Sequence, residues 1–388
     1  MDIDGIRIYS IQLPFSLHFS HALRKRVSVN NVFVEVIGEQ GKIKGYGEGA
    51  PRSFVTGETQ KSAVRTIHRL ARQNHFPWRI EDIRQIWNFI DSLGDDKTQN
   101  AAVCALETAL LDAFGQYHET NLIDYFPNDF LTHKIYYGIA FPLAGKNTLM
   151  ALCRQARKMK IRKLKLKLGK DLAQNREMLK AVRMVFGEDY NLKIDVNGVW
   201  NRDLALRHES LLVKYNVRVV EQPMAPNAPE LADFALRMKQ AGVTLMADES
   251  ACSLADVKTI AENGHYQMIN VRLSKCGGMR NSLKMIDYLR RREIAFQIGC
   301  HLGESGILSA AGRILSLLCN DAVYCDGSYD EYLLEKNITM KNVSFGPGGE
   351  ADPLKGPGLG VNIDHQSLVL LSQGPPVVIE RPHRSSRK

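Results

Sequence analysis

The run Arg162-Lys-Leu-Lys-Leu-Lys-Leu168 alternates three amines (Lys163, Lys165, Lys167) with three leucines. As an extended strand it puts the amines on one face and the leucines on the other. In an antiparallel sheet that is a solvated lysine face. In a barrel whose leucines face outer helices, the amines point to the axis and need anionic or metal-bound company. Downstream, Asp195, Glu221 and Asp248 end three successive strand-like runs. Three hard oxygen donors on separate elements, leaving room for water and substrate, suit Mg2+; zinc would want histidine or cysteine, and none is offered. Any one of these acids alone would more often cap a helix or pair with an arginine.

If the runs close into a ring of eight, the second and sixth strands lie opposite each other. Lys167 and Lys275 are then expected to face one another across the mouth, one on each side of a bound substrate. A divalent ion and the neighbouring Lys165 both disfavour charge on Lys167, which brings an amine towards the range of a usable base. These parts together describe removal of a proton from a carbon next to a carboxylate. The metal would stabilise the developing enediolate, and the other amine would return the proton from the opposite face, with inversion.

Those side chains need elements to position them. Ile6 to Ile11 and Val32 to Ile37 alternate, and Glu39-Gln-Gly41 makes a turn before Ile43 to Gly47, which predicts a short sheet. Helical spacing follows over Glu58 to Gln73, Glu81 to Leu93 and the alanine-rich Thr98 to Tyr117. Residues 1–125 are therefore expected to form an α+β domain. From Lys134, strand-like runs alternate with helical segments, with strands beginning near Ile135, Arg162, Leu192, Val217, Val243, Gln267, Ile294 and Ala322. The pattern predicts an α/β fold, a (β/α)8-type barrel over residues 126–330, with a doubly wound open sheet as its competitor. Polar residues at the ends of many different strands favour the barrel, and no glycine-rich nucleotide motif follows any strand. Residues 331–388 are rich in glycine and proline, then offer one apolar strand, Leu368 to Leu371. This tail is expected to pack back on the N-terminal domain, with a disordered basic end from Arg381 to Lys388.

Composition bounds the partners. The chain has 388 residues, 44% hydrophobic and 24% charged, and no apolar run approaches the length of a membrane-spanning helix. The net charge of +9 is spread along the chain without aromatic interleaving, which argues against nucleic acid and for a basic surface or an anionic substrate. Seven scattered cysteines without a Cys-x-x-Cys pair suit reduced thiols, and the acidic start Met-Asp-Ile-Asp-Gly lacks the order of an export signal. The expectation is a cytoplasmic protein that binds a small carboxylate, with no nucleic-acid or membrane partner and assembled as a homo-oligomer.

Taken jointly, Lys165-Leu-Lys167-Leu-Gly169, Asp195-Val-Asn197, Glu221-Gln-Pro223, Ala247-Asp-Glu-Ser250 and Lys275-Cys-Gly-Gly278 resemble the muconate lactonizing enzyme subgroup of the enolase superfamily. The resemblance covers most of the chain, including Gly45-Tyr-Gly-Glu48 and the helix Ala101 to Gly115. It implies a Mg2+-dependent enzyme whose barrel is capped by the N-terminal region and C-terminal tail. It also implies Asp195, Glu221 and Asp248 as ligands, Lys167 and Lys275 as the acid/base pair, and Lys165 as the group that steadies the substrate carboxylate.

Within that subgroup the substrate is set by loops. Thr56-Gly-Glu-Thr59 looks like the capping loop of dipeptide epimerases, although a helix cap explains the same residues. Where dipeptide epimerases carry Asp-x-Asp to bind an ammonium, this chain reads Tyr324-Cys-Asp326, so only the second acid remains. Asp326, Tyr137, Asn197 and Arg24 are the expected substrate contacts, with Arg24 beside Phe19 and His21 on the loop that would cover the mouth. His301 and Glu304, in an unusual strand-seven sequence, are left outside the site. The resulting expectation is an isomerase that epimerises a dipeptide or racemises an amino-acid derivative. Cycloisomerisation or syn-elimination with the same groups is the alternative, and a non-catalytic binding protein on the same barrel is the second.

Overall fold

The computed structural model describes residues 1–16 and 27–382. Three strands open the chain, β1 (Ile3–Pro14), β2 (Ser28–Gly38) and β3 (Ile43–Gly49), followed by α1 (Gln60–Leu70), α2 (Ile83–Ser92) and α3 (Asn100–Tyr117). Eight strands then alternate with helices. They run β4 (Ile135–Phe141), α4 (Lys146–Lys158), β5 (Lys163–Lys167), α5 (Leu172–Phe186), β6 (Asn191–Asp195), α6 (Arg202–Lys214), β7 (Val219–Glu221) and α7 (Leu231–Gln240). The series continues with β8 (Thr244–Ala247), α8 (Leu254–Asn263), β9 (Met268–Arg272), α9 (Leu273–Cys276), α10 (Gly278–Arg291), β10 (Ala295–Gly299), α11 (Gly306–Leu317) and β11 (Tyr324–Asp326). All neighbours from β4 to β11 pair in parallel, and β11 pairs back onto β4, so the ring closes and the open-sheet alternative is excluded. Each strand starts within two residues of the position expected from sequence.

The tail is more divided than expected. After α12 (Asp330–Leu333), β12 (Glu350–Ala351) pairs antiparallel with β4 of the ring. The predicted strand at Leu368 to Leu371 is instead part of helix α13 (His365–Leu371). Asp364 caps it, accepting from the backbone N–H groups of Gln366 and Ser367, and Leu368 and Leu371 are buried while Val369 and Leu370 are exposed. That is a three-residue spacing, not alternation, and four apolar residues in a row could not show the difference. The strand that returns to the N-terminal sheet is β13 (Val377–Glu380), paired with β1 to give the order β13-β1-β2-β3. Arg381 continues this return, with Nη1 donating to Asp2 at 2.7 Å, and residues beyond 382 lie outside those described.

Helix α3 lies against β3 at backbone distance. Its alanines repeat every fourth residue (Ala101, Ala105, Ala109, Ala113), and Gly45, Gly47 and Gly49 alternate on the facing strand. A Cβ at Gly47 would stand 2.0 Å from the carbonyl oxygen of Ala105. The helix is buried on nearly all sides because barrel and sheet both press on it.

Buried carboxylates join this layer to the barrel. Glu48 accepts from the backbone N–H groups of Ser305 and Leu308 at the start of α11, and Glu107 accepts from Met279 and Arg280 at the start of α10. Each fills unpaired helix N–H groups with a negative charge where the helix dipole favours it. Burial pushes the Glu107 carboxyl up to about 7, against the opposing pull of those two N–H donors. Among the described residues all seven cysteines are unpaired, and no helix is long and apolar enough to cross a membrane.

Two outcomes follow from this packing. Gly47→Ala should lower unfolding stability by about 3 kcal/mol or more in denaturant titrations, since the helix cannot retreat without unpacking its alanine face. Folded Glu107 binds its proton more tightly than the unfolded chain does, at about 7 against 4.5, so its contribution favours folding at acid pH and is lost as pH rises through that window. Melting should therefore occur at lower temperature at about pH 8 than at about pH 5. Glu107→Gln should remove up to about 3 kcal/mol of that difference, read by calorimetry across the same range.

Candidate active site

Strand register decides which side chains enter the ring. Lys165 pairs with Lys193 and Lys167 with Asp195; Asp195 pairs with Glu221, Glu221 with Met246, Gln297 with Asn270 and Asp326 with Gly138. Paired residues share a face, so one set looks to the axis while Leu164 and Leu166 face the helices, completely buried. The interior is layered. Val219, Met246, Met268 and Tyr324 fill the bottom with an apolar plug. Lys193, Asn270, Gln297 and Asp326 form a polar layer above it, and Lys167, Asp195, Glu221, Asp248 and Arg272 stand at the strand C-termini.

Glu221 links the two sides of the mouth. Its Oε2 accepts from Lys165 Nζ at 3.1 Å, and its Oε1 accepts from Asn270 Nδ2 at 2.7 Å and lies 3.5 Å from Arg272 Nη2. Burial opposes the charge on Lys165, but the carboxylates of Glu221, Asp326 and Asp195 outweigh it and raise its pKa, so Lys165 is a fixed cation. Asp195 is buried too, and the cations Lys167, Lys165 and Arg272 overcome that burial and hold its carboxyl below the usual range. Asp248 is positioned by Gln222, whose Oε1 accepts from the backbone N–H of both Asp248 and Ser250.

Lys167 reaches the open mouth, with 39% of its side chain exposed. Its Nζ donates to Asn197 Oδ1 at 2.9 Å and lies 3.5 Å from Asp195 Oδ2. Asn197 takes a left-handed backbone (φ 49°), its N–H donating to Asp195 Oδ1 and its Nδ2 to Glu249 Oε1. It thus ties the amine to two acids.

Lys275 is not where the sequence reading put it. Strand β9 ends at Arg272, and Lys275 lies in the helical turn α9 beyond it, with no exposure. Its Nζ donates to the carbonyl oxygens of Asn270 (2.6 Å) and Asp248 (2.7 Å) and to Asp248 Oδ1 (3.1 Å), which uses all three N–H groups. The group opposite Lys167 is Arg272. Its guanidinium lies against Asp248 Oδ2 and reaches Glu221.

Of the expected substrate contacts, Asp326 is partly engaged within the barrel and Tyr137 is corrected. Asp326 Oδ2 accepts from Lys193 Nζ at 2.8 Å and pairs with Lys165 at 3.2 Å, and although burial opposes ionisation, the two ammonium groups pull its carboxyl down to about 2. Oδ2 is thus taken up by two amines of the barrel, whereas the buried Oδ1 accepts no hydrogen bond. Tyr137 has the wrong parity for the axis; its hydroxyl accepts from Arg313 Nε at 3.2 Å and its ring packs on Phe345. Arg24, with Phe19 and His21, lies outside the described residues. Thr56-Gly-Glu-Thr59 acts as caps, since Thr59 caps α1 and Glu58 accepts from Ala101 and Ala102 at the start of α3. His301 and Glu304 are buried together, and burial keeps the imidazole neutral and pushes Glu304 up to about 8.

Sequence reasoning missed Arg272, Glu249, Lys193 and Asn270. Alternation would have found three of them, because Asn270 and Arg272 are two apart on one strand and Lys193 is two before Asp195. Lys275, three beyond Arg272, breaks that rhythm.

The donor set fits a hard divalent ion by its chemistry. Asp195, Glu221 and Asp248 come from adjacent strands, the buried Glu249 Oε2 accepts no hydrogen bond, and Asp248 Oδ2 meets only the Arg272 guanidinium. Among the described residues, no three such groups are gathered tightly enough to ligate one ion as they stand. The positive charge between Glu221 and Asp248 is the Arg272 guanidinium.

Comparison with known proteins agrees with this architecture. Residues 148–367 match the family described as enolase C-terminal domain-like. A hydrophobic dipeptide epimerase of Enterococcus faecalis is 27% identical over 379 residues, covering 96% of this chain and 98% of that protein. An N-succinyl-L-Arg/Lys racemase of Bacillus cereus is 27% identical, covering 80% and 83%. The crystal structure of the dipeptide epimerase of E. faecalis V583, complexed with Mg and the dipeptide L-Leu-L-Tyr, superposes with a TM-score of 0.78 at 25% identity, covering 93% of this chain and all of that one. The family match spans more than half of the sequence, and the chain belongs to the enolase C-terminal domain-like family.

Proposed function

We propose that this protein is a Mg2+-dependent enzyme that removes the proton α to a carboxylate on an amino-acid derivative, the step with which epimerisation or racemisation begins. The observation that carries this reading is the mouth itself, where three strand-end carboxylates stand on one side with a solvent-reaching amine, Lys167, beside them. Asp195, Glu221 and Asp248 would hold the ion, and Arg272 must then give up its contact with Asp248. Bound there, a divalent cation supplies Lewis-acid stabilisation of negative charge on the substrate carboxylate.

This chain's own residues do the rest. Lys167 Nζ, held by Asn197, takes the α-proton, and the electron pair left behind delocalises into the carboxylate as an enediolate. Lys165 stays positive beneath it and favours that charge without moving. Cycloisomerisation or syn-elimination through the same enediolate is a second reading. It is favoured by the sealed Lys275 and by Arg272 in its place opposite Lys167.

Lys167→Ala should reduce α-deuterium uptake from heavy water by about a thousandfold or more while melting close to wild type, measured by mass shift on N-acetyl-amino acids and dipeptides. Retained exchange would remove Lys167 from the mechanism. Adding MgCl2 to chelator-treated protein should raise the melting temperature by a few degrees, as binding to the folded state alone must. Asp248→Asn should cancel that rise, and an unchanged rise would place the ion elsewhere.

A further inference from the structure

Strands β5 and β9 are four positions apart in a closed ring of eight, so their C-terminal ends face each other across the mouth. On the β5 side stands Lys167, an amine that can lose and regain a proton. On the β9 side, the last inward-facing residue is Arg272, two residues after Asn270, whose amide also points inward to Glu221. The three carboxylates at β6, β7 and β8 lie on the arc between them. Glu221 shows the arrangement directly, with one oxygen on Lys165 of β5 and the other facing Arg272 of β9.

A guanidinium has five N–H donors and no acceptor, so it can hold an anion but cannot take a proton from carbon. The nearest amine on that side, Lys275, is enclosed. Two main-chain carbonyls and Asp248 take its N–H groups, and Asn100 of α3 donates to its carbonyl oxygen at 2.5 Å, which pins the turn that carries it. His301 also neighbours Arg272, but its ring is enclosed, with Nδ1 3.8 Å from Glu304 Oε1 and making no hydrogen bond.

We propose that Arg272, not Lys275, forms the far face of the substrate site, and that protons enter and leave the α-carbon only on the Lys167 side. The inference rests on the α-deprotonation reading above. In the forward step the C–H bond breaks, its electron pair passes into the enediolate, and the proton forms a new N–H bond on Lys167. Either the same amine returns a proton to the same face, or the electron pair expels a leaving group from the β-carbon on that side. Arg272 keeps all its protons throughout and donates hydrogen bonds to the anionic intermediate. Inverted product then requires the enediolate to turn over within the site, which a divalent ion held by Asp195, Glu221 and Asp248 would oppose by fixing its carboxylate end.

Two measurements test this on the full-length protein. The first incubates it with MgCl2 in heavy water and a panel of N-acetyl- and N-succinyl-amino acids and dipeptides, then separates the isomers and weighs each. Deuterium in the recovered starting isomer, or an elimination product that has lost the α-hydrogen, well ahead of any inverted isomer supports the proposal. Inverted isomer forming as fast as labelled starting isomer overturns it and leaves α-deprotonation standing. Absence of uptake with every probe overturns the deprotonation reading and this inference with it. Arg272→Lys supplies an amine on the far face and should raise the inverted fraction; an unchanged fraction counts against Arg272 as the determinant.

The second measurement needs no substrate. Reductive methylation of the folded protein, read by peptide mass, should label Lys167 about a hundredfold faster than Lys275, which reacts only after local opening. Comparable rates would place a second amine at the mouth and overturn the proposal.

Discussion

Inside the closed ring, Lys165, Lys193 and Arg272 stand against Asp195, Glu221, Asp248 and Asp326, nearly all of them out of reach of bulk water. Charges so placed persist only if each is matched, because removing one partner of a buried pair typically costs about 3 to 5 kcal/mol. The contacts show the matching residue by residue. Lys193 and Lys165 share Asp326, Lys165 and Asn270 share Glu221, and Arg272 lies against Asp248. A divalent ion bound at the mouth would have to compete with the Arg272 guanidinium for Asp248.

The N-terminal layer takes part in the same arrangement through helix ends and not through the charges of the ring. Glu107 fills the start of α10, Asn100 holds the carbonyl of Lys275, and Glu48 fills the start of α11. The first two act on the chain just after β9, the strand that carries Arg272. The close backbone contact of α3 with β3 therefore does more than complete a core. It fixes the turn in which Lys275 is sealed, and so fixes which cation faces the substrate.

Much of this architecture was legible from residue pattern. Regular alternation of strand-like runs and helical segments located all eight ring strands, and carboxylates at three consecutive strand ends marked the mouth. Lys165 and Lys167 were legible because the leucines between them fixed the face. What was lost depended on counting beyond a strand end. Lys275 follows a strand as an acid/base group should, but once the strand stops at Arg272 the period changes from two to 3.6 residues, and a side chain three places on points elsewhere. Tyr137 failed by the same parity, one residue away from the inward Gly138. Asp326 was legible as an inward acid, but its pairing with Lys193, on a strand distant in sequence, was not. The run Leu368 to Leu371 shows the limit of short apolar segments, where the cap at Asp364 carried the only local signal of a helix.

Arginine and lysine contribute the same unit charge at position 272, so net charge in the ring does not separate them, whereas chemistry does. An amine offers a lone pair when deprotonated, whereas a guanidinium offers only donors in a fixed fork. With Arg272 on the far face, the ring keeps its charge matching and its ability to stabilise an enediolate, but it holds one proton carrier instead of two. The number of outcomes open to that intermediate is then set by what lies on the Lys167 side. There, Asn197 and Glu249 form a polar wall next to the amine, and Glu249 is pushed up in pKa by its burial and by the charge of Asp195. A fold that preserves its electrostatics while changing a single donor type can in this way redirect the product without disturbing the strands that position it.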